Sequence, residues 1–548
     1  MKISFLLVLI CLSAHLFSQS HINSYLDGLL VKEVPNESNP GLTVGVIQDG
    51  KLIYHDSRGS VNLEYEVPYN DSTVFGLASV TKQFTSACVG ILAYQGKLSI
   101  YDDVRKYVPE LAFYGDTIRI KNLLNHTSGI RNHNVLLDLA GFDFKHRGYT
   151  NKMIQELMFR QSGVNNVPGE KMLYSNTNYV LLALIIERVS GMTIHQFAKK
   201  ELFEPLDMTD SFYESDLDRV VVNRAYPYYK EGDVYKHPTS LTLCIGAGGM
   251  KSTVLDLAKW TQVFLDKSHP FSQLKAFLTQ LDTLNNGEKM KHARGMFISP
   301  YKGYKTFNHS GRGVGMRSQF ICIPELNIGV VVYSNSEHID AVDVSYKILD
   351  LFINEPIKEE EINPSDDNSP IQLHTFAGTY QELNSDLRME IFVENDTLKA
   401  LSSLGRIPNS LTPTRTTSFS RADNPSVTYS FFSQKELESQ LHVDFGGAIF
   451  YFEKVTLREA PNQNLAEYTG TYYSPELEVT YSLQISDNQL TLSYPNHKGL
   501  VLTEGVKDTF GANRRTKYAF KRNEEKKIIA FEVSAEGTVK NILFEKIN

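Results

Sequence analysis

The sequence predicts an α+β protein. An antiparallel sheet flanked by helices, with a helical subdomain beside it, is followed by two antiparallel β-barrel or sandwich domains. Two observations carry this reading. β-rich segments stand at both ends of the stretch from about residue 40 to residue 335, with mainly helical and looped sequence between them. That is the pattern of one sheet completed by two distant parts of a chain. Beyond it the sequence repeats itself. Segment 376–380 returns as 468–472, 395–398 as 487–490, and 452–455 as 544–547, each pair 92 residues apart. Three anchors at one spacing mark a duplicated unit.

Taken in order, Lys2 precedes an apolar run over 3–12, and the small-x-small triplet Ser18-Gln19-Ser20 follows. This reads as a secretory signal peptide over 1–20, since the run is shorter than a typical membrane span. The expected mature protein is exported, periplasmic or secreted, with no membrane span. Residues 42–47 and 51–54 are β-rich and flank Asp49-Gly50, a strong hairpin signal. A helix is expected over 179–189 with Gly191 as its stop. Strands are expected over 318–323 and 328–333, around a Pro324-Glu325 turn. The first folded unit is placed at 21–355. An acidic, proline-bearing stretch over 356–370 reads as a linker. The repeats are placed at 371–458 and 459–548. Each alternates apolar and polar residues between turn signals, as in 479–485. Barrels this small are expected to be filled by their own side chains.

The chain has 548 residues, enough for about three domains. A net charge of −8 and the lack of a basic stripe argue against a nucleic-acid partner. Apart from Cys11, the cysteines are Cys88, Cys244 and Cys322, an odd number in apolar settings, and they read as buried thiols. Zinc-binding spacings are missing from the sequence, so a zinc site has little support. The oligomeric state is not legible.

The chemistry centres on Ser79 and Lys82. They stand three residues apart where an apolar helical pattern begins, so they share a helix face. A serine hydroxyl needs a neighbouring base to act as a nucleophile, and a desolvated lysine near another cation can fill that role. The spacing alone is weak: Ser272 and Lys275 repeat it. Tyr174 and Asn176 lie just ahead of the 179–189 helix. Near lysines the tyrosine is expected to have a lowered pKa and to shuttle protons. Asn176 offers an amide to both a substrate and a lysine. His309, Ser310, Gly311 and Arg312 open a glycine-rich stretch before the last strands. There the backbone can approach a ligand closely, and His309 can serve as a polar or cationic partner.

Ser79-x-x-Lys82, Tyr174-x-Asn176 and His309-x-Gly311, in this order, resemble the motifs of the serine β-lactamase and penicillin-recognising family. The similar branch holds class C β-lactamases, D-Ala-D-Ala carboxypeptidases, D-aminopeptidases and esterases. Segments 96–103, 123–130 and 248–253 also resemble it. The paired C-terminal repeats resemble the accessory barrels of D-aminopeptidases. The resemblance implies the β-lactamase/transpeptidase fold and an acyl-enzyme mechanism that needs no metal and no organic cofactor. Ser79 would attack a carbonyl, while Lys82 and Tyr174 move the proton, either one being the base. The N–H groups of Ser79 and Arg312 would form the oxyanion hole, and His309 would assist proton return. Asn176, Ser310, Gly311 and Arg312 would contact the substrate, a small molecule or short peptide. Histidine at 309, where class C β-lactamases usually carry lysine, points to a peptidase or esterase ahead of a β-lactamase. A catalytically silent ligand-binding or penicillin-sensing protein is the other alternative. Loops 131–149 and 226–235 are expected to shape the pocket.

Overall fold

Strongly apolar, β-branched segments from the two ends of the first unit build its central sheet. In chain order the strands are β1 (Leu42–Gln48), β2 (Lys51–Arg58), β3 (Phe297–Tyr301), β4 (Tyr304–Gly313), β5 (Met316–Ile323) and β6 (Ile328–Ser334). They lie in the order β3-β4-β5-β6-β1-β2, all neighbours antiparallel. The closure of the two ends is the β1–β6 pair, in register from Leu42 opposite Ser334 to Gln48 opposite Ile328. Asp49 (φ 49°) and Gly50 (φ 79°) both take positive φ in the β1–β2 turn, which matches the twist of a two-residue hairpin. The computed structural model describes residues 20–547, apart from 239–243, 354–370, 384–386, 404, 406, 433–439, 446–448, 456–463, 506 and 514. The expected signal peptide, save Ser20, and the expected linker lie outside the described residues.

Four helices matter to the sheet and the site: α1 (Thr81–Tyr94), α2 (Asn176–Ser190), α3 (Val254–Leu265) and α4 (Ala341–Leu349). Because strand side chains alternate, β6 serves two cores. Val330 and Val332 pack with Val344 and Ile348 of α4, while Val331 and Tyr333 face the core that holds Trp260 and Phe264 of α3. Each such buried side chain contributes about 1.5–3 kcal/mol.

The helical subdomain is inserted between β2 and β3 and is centred on α2. Every residue of α2 from Thr177 to Ile186 is buried, as expected for a helix that is apolar all round. It stops at Gly191 in the left-handed conformation (φ 70°). It starts at Asn176, three residues before the expected start. Its first turn, Asn176-Thr177-Asn178, is polar and so carries no apolar period; Thr177 Oγ1 there donates to the Arg131 carbonyl (2.8 Å). Among the described residues, no single helix is long and apolar enough to cross a membrane.

The repeat folds as two β modules. The first is a closed barrel of eight antiparallel strands, from Gly378–Glu382 to Ile449–Val455. The second is a nine-stranded antiparallel sheet whose end strands, His497–Val501 and Thr503–Glu504, are separated only by Leu502, so it curls nearly shut. The duplication shows in matching details. Tyr380 donates its hydroxyl to the Phe376 carbonyl (2.8 Å), and Tyr472 to the Tyr468 carbonyl (2.9 Å). Asn395-Asp396 and Asp487-Asn488 make the same positive-φ turn. Buried side chains fill both modules, among them Phe419 and Leu441 in the first and Tyr481 and Phe544 in the second.

Candidate active site

The site begins at a strained turn. A short strand (Phe75–Gly76) pairs with Met250–Ser252, and a tight turn over Ala78–Val80 leads into α1. Ala78, just before Ser79, has φ 46°. A left-handed backbone at a non-glycine residue costs on the order of 1–3 kcal/mol and collects at functional sites. The turn is held from outside: Leu77 N donates to the Met250 carbonyl (3.0 Å), and Ser318 Oγ donates to the Leu77 carbonyl (2.7 Å). Strand β4 lies directly alongside. A Cβ at Gly311 would stand 2.4 Å from the Leu77 carbonyl oxygen, so only glycine lets β4 approach the Ser79 turn this closely.

Lys82 sits one helical turn beyond Ser79 and is fully buried. Its Nζ makes three contacts, to Ser79 Oγ (3.0 Å), Asn176 Oδ1 (2.8 Å) and the Ala247 carbonyl (2.8 Å). None is a carboxylate. Burial without a counter-charge pushes its pKa down to about 7. The expected neighbouring cation plays no part; desolvation alone does this.

Tyr174 lies on the other side of the amine, with its ring centroid 5.0 Å from Lys82 Nζ. Its buried hydroxyl meets no partner in full hydrogen-bond geometry. It is near enough to Ser79 for that hydroxyl to oppose the effect of burial, which nonetheless raises the phenol pKa. This corrects the expectation of a lowered value: loss of water around the buried phenol outweighs the one neighbour, the Ser79 hydroxyl, that favours a phenolate. His309 is likewise not a cation. Burial, and then Lys82, hold it down at about 3. Its Nδ1 lies 2.6 Å from the Ser310 carbonyl, an acceptor, so Nδ1 carries the proton and Nε2 is the free lone pair.

Ser310 is exposed and shares a face of β4 with Arg312, two residues on, while His309 between Asn308 and Ser310 is buried. Arg312 does line the cleft, opposite Arg317 of β5. The pair Ser272 and Lys275 takes no part: Lys275 donates to the carbonyl of Phe264.

Several neighbours carried no local signal in the sequence. Asn176 is steadied by Asn132, whose Oδ1 accepts from the Asn176 N–H (3.3 Å), and by Asn134, whose Oδ1 accepts from Nδ2 (3.3 Å). Behind Tyr174, the rings of His126 and His292 are fully buried, with centroids 4.2 and 6.4 Å from the tyrosine ring. Burial is the main cause that holds both imidazoles well below their ordinary pKa. A cleft of about 680 Å³ opens beside this set, lined by residues of both expected loops, such as Asn134, Tyr149 and Tyr226. Glu214 is buried at its edge between Arg224 and Lys251. Among the described residues, no group of His, Cys, Asp and Glu side chains is arranged to hold a metal ion.

An antiparallel sheet, an inserted helical subdomain and a serine–lysine–tyrosine set at their junction define the β-lactamase/transpeptidase fold. The chain belongs to the beta-lactamase family: the family model described as Beta-lactamase matches residues 26–352. It is 30% identical over 316 residues to Penicillin-binding protein 4* of Bacillus subtilis (strain 168), an alignment covering 54% of this chain and 68% of that protein. Among solved structures, the octameric penicillin-binding protein homologue from Pyrococcus abyssi superposes with TM-score 0.55 at 23% identity, over 86% of this chain and 98% of that one. D-amino acid amidase from Ochrobactrum anthropi SV3 superposes with TM-score 0.52 at 20% identity, over 61% and 97%. At these identities the structural likenesses establish the fold.

Proposed function

We propose that this protein is an exported serine hydrolase that works through an acyl-enzyme on Ser79 and cleaves a peptide, amide or ester bond of a small substrate. The observation that carries the reading is the surroundings of the Lys82 amine. A neutral amine has two N–H donors and one lone pair. Two of its three contacts, Asn176 Oδ1 and the Ala247 carbonyl, can only accept. Both donors are therefore used, and the lone pair faces Ser79 Oγ, 3.0 Å away. With its pKa pushed down to about 7, a large share of the amine is in this form at neutral pH, where a general base works best. Lys82 is thus the better base, and Tyr174, held protonated by burial, is the better proton donor.

In the proposed cycle the Ser79 oxygen bonds to the substrate carbonyl carbon as its proton passes to Lys82. The oxyanion is held by the N–H groups of Ser79 and Arg312, each worth roughly 3 kcal/mol in the transition state. The bond to the leaving group breaks as that group takes a proton from Tyr174, which is reprotonated from Lys82. Water then enters and gives a proton to Lys82 as its oxygen bonds to the acyl carbon; the bond to Ser79 breaks as Ser79 Oγ takes that proton back from Lys82, which releases the acid and restores both groups. The relatives' names guide the choice of substrates. Purified protein is assayed with p-nitrophenyl esters, D-amino acid amides, D-alanyl peptides and a fluorescent penicillin. Ser79-dependent turnover of at least one ester or amide is expected. Unchanged turnover in Ser79→Ala would sink the proposal, and a stable penicillin adduct with no hydrolysis of any substrate would favour the penicillin-sensing alternative.

A further inference from the structure

The cleft beside Ser79 is not made by the hydrolase unit alone. Arg515 and Glu536, both from the second β module, line it together with Asn132, Asn134 and Arg312. A second cavity, of about 580 Å³, lies between the hydrolase unit and the two β modules; Leu139, Ser403 and Tyr518 are among its lining. Four residues line both spaces: Val135, Asp138, Arg515 and Glu536. They therefore stand between them. Arg515 and Glu536 lie at the adjoining ends of two paired strands, Thr516–Arg522 and Ile528–Ala535. The Glu536 N–H donates to the Arg515 carbonyl (3.0 Å), and their side chains pair at 3.3 Å.

The partition is held firmly. Asn165 Nδ2 donates to the Thr538 carbonyl (2.7 Å), and the Asn132 N–H donates to the same carbonyl (3.3 Å). Tyr481 donates its hydroxyl to the Leu139 carbonyl (2.6 Å), at the end of the helix that carries Val135 and Asp138. A wall fixed by bonds on both sides does not swing aside as a mobile loop would.

We propose that the Arg515–Glu536 pair, with Val135 and Asp138 across from it, is the end wall of the substrate cleft and limits the length of substrate that the Ser79 centre accepts. The second β module is then a specificity element: compact acyl compounds and short peptides fit the 680 Å³ cleft, and extended chains are stopped at the wall. The inference rests on the serine-hydrolase reading above.

The test is the double variant Arg515→Ala/Glu536→Ala in the full chain. The side chains are 46% and 30% exposed, and ion pairs this open contribute little to stability, so the variant is expected to fold, which its thermal midpoint checks. Two ladders are compared with wild type: p-nitrophenyl esters from acetate to dodecanoate, and alkyl fluorophosphonates of matching chain lengths, whose labelling of Ser79 is followed by intact mass. The expected result is a long-to-short ratio of kcat/KM, and of labelling rate, that rises at least about tenfold in the variant, mostly through KM. An unchanged ratio with Ser79-dependent turnover would overturn the end wall and leave the hydrolase reading standing. Turnover that persists in Ser79→Ala, or no labelling of Ser79 by any probe, would overturn both.

Discussion

Tyr481 and Met389 hold the same place in the two copies of the repeat, opposite Tyr472 and Tyr380 respectively. Met389 is sealed inside the first barrel. Tyr481 reaches out of its own module to the Leu139 carbonyl. The difference extends through both copies. The first module has a core of its own, and meets the hydrolase unit through Lys291–Asp444 and a small apolar patch of Met172, Met290 and Phe450. The second shares one continuous core with the helical subdomain. It also sends Glu476 into that subdomain. There the carboxylate accepts from Arg131, from the Ser162 N–H (3.1 Å) and from Ser162 Oγ (3.0 Å). The Arg131 carbonyl in turn accepts from Ser175 and Thr177, which flank Asn176. A path of direct contacts thus runs from Glu476 to Asn176 and on to Lys82. One copy remains an appendage, while the other has become part of the frame of the site.

This contrast can be broken or sharpened by substitution. The largest effect is expected from Glu476→Ala. Arg131 would be left charged and buried, at 3% side-chain exposure, a loss of about 3–5 kcal/mol. Denaturant unfolding should show it, with a parallel fall in kcat as Asn176 loses its support. A loss no larger than that of Lys291→Ala would erase the distinction between the copies. Tyr481→Phe leaves the buried Leu139 carbonyl without its donor and should lower stability by about 1–3 kcal/mol. Lys291→Ala cuts a pair at the seat of the first barrel in which Lys291 is 53% and Asp444 9% exposed; with one partner open to water the loss should be about 1 kcal/mol, below that of Glu476→Ala, with no change in turnover.

How much of this could be read beforehand depends on distance along the chain. Ser79 and Lys82 were legible because helix geometry turns a spacing of three into contact. The sheet closure was legible because β1 and β6 are apolar on both faces, and the duplication because its anchors keep one interval. Tyr174 and His309 needed the family resemblance, since nothing local ties them to Ser79. The expected direction of the Tyr174 pKa is reversed because burial, which outweighs the Ser79 hydroxyl, has no marker in a triplet. Arg131–Glu476 and the Arg515–Glu536 wall were not legible at all: they depend on how folded units dock, and docking leaves no period in a sequence.

Lys82 also ties stability to pH. Its amine ionises at about 7 when folded, against 10.5 for an ordinary lysine. Between those values the unfolded chain holds the extra proton, so stability rises with pH across that window. Lys82→Met should remove this part of the rise, while abolishing turnover.

The most direct measurement is the rate of Ser79 acylation by p-nitrophenyl acetate as a function of pH, by rapid quench and intact mass. The neighbours do not titrate near neutrality: His309 is held at about 3, Cys244 is pushed up to about 11, and Tyr174 is raised from its ordinary value. The account predicts a rate that climbs with pH through a single step near 7, on an adduct confined to Ser79. A step instead near the ordinary range of a phenol or lysine, or acylation that survives in Lys82→Met, would contradict it.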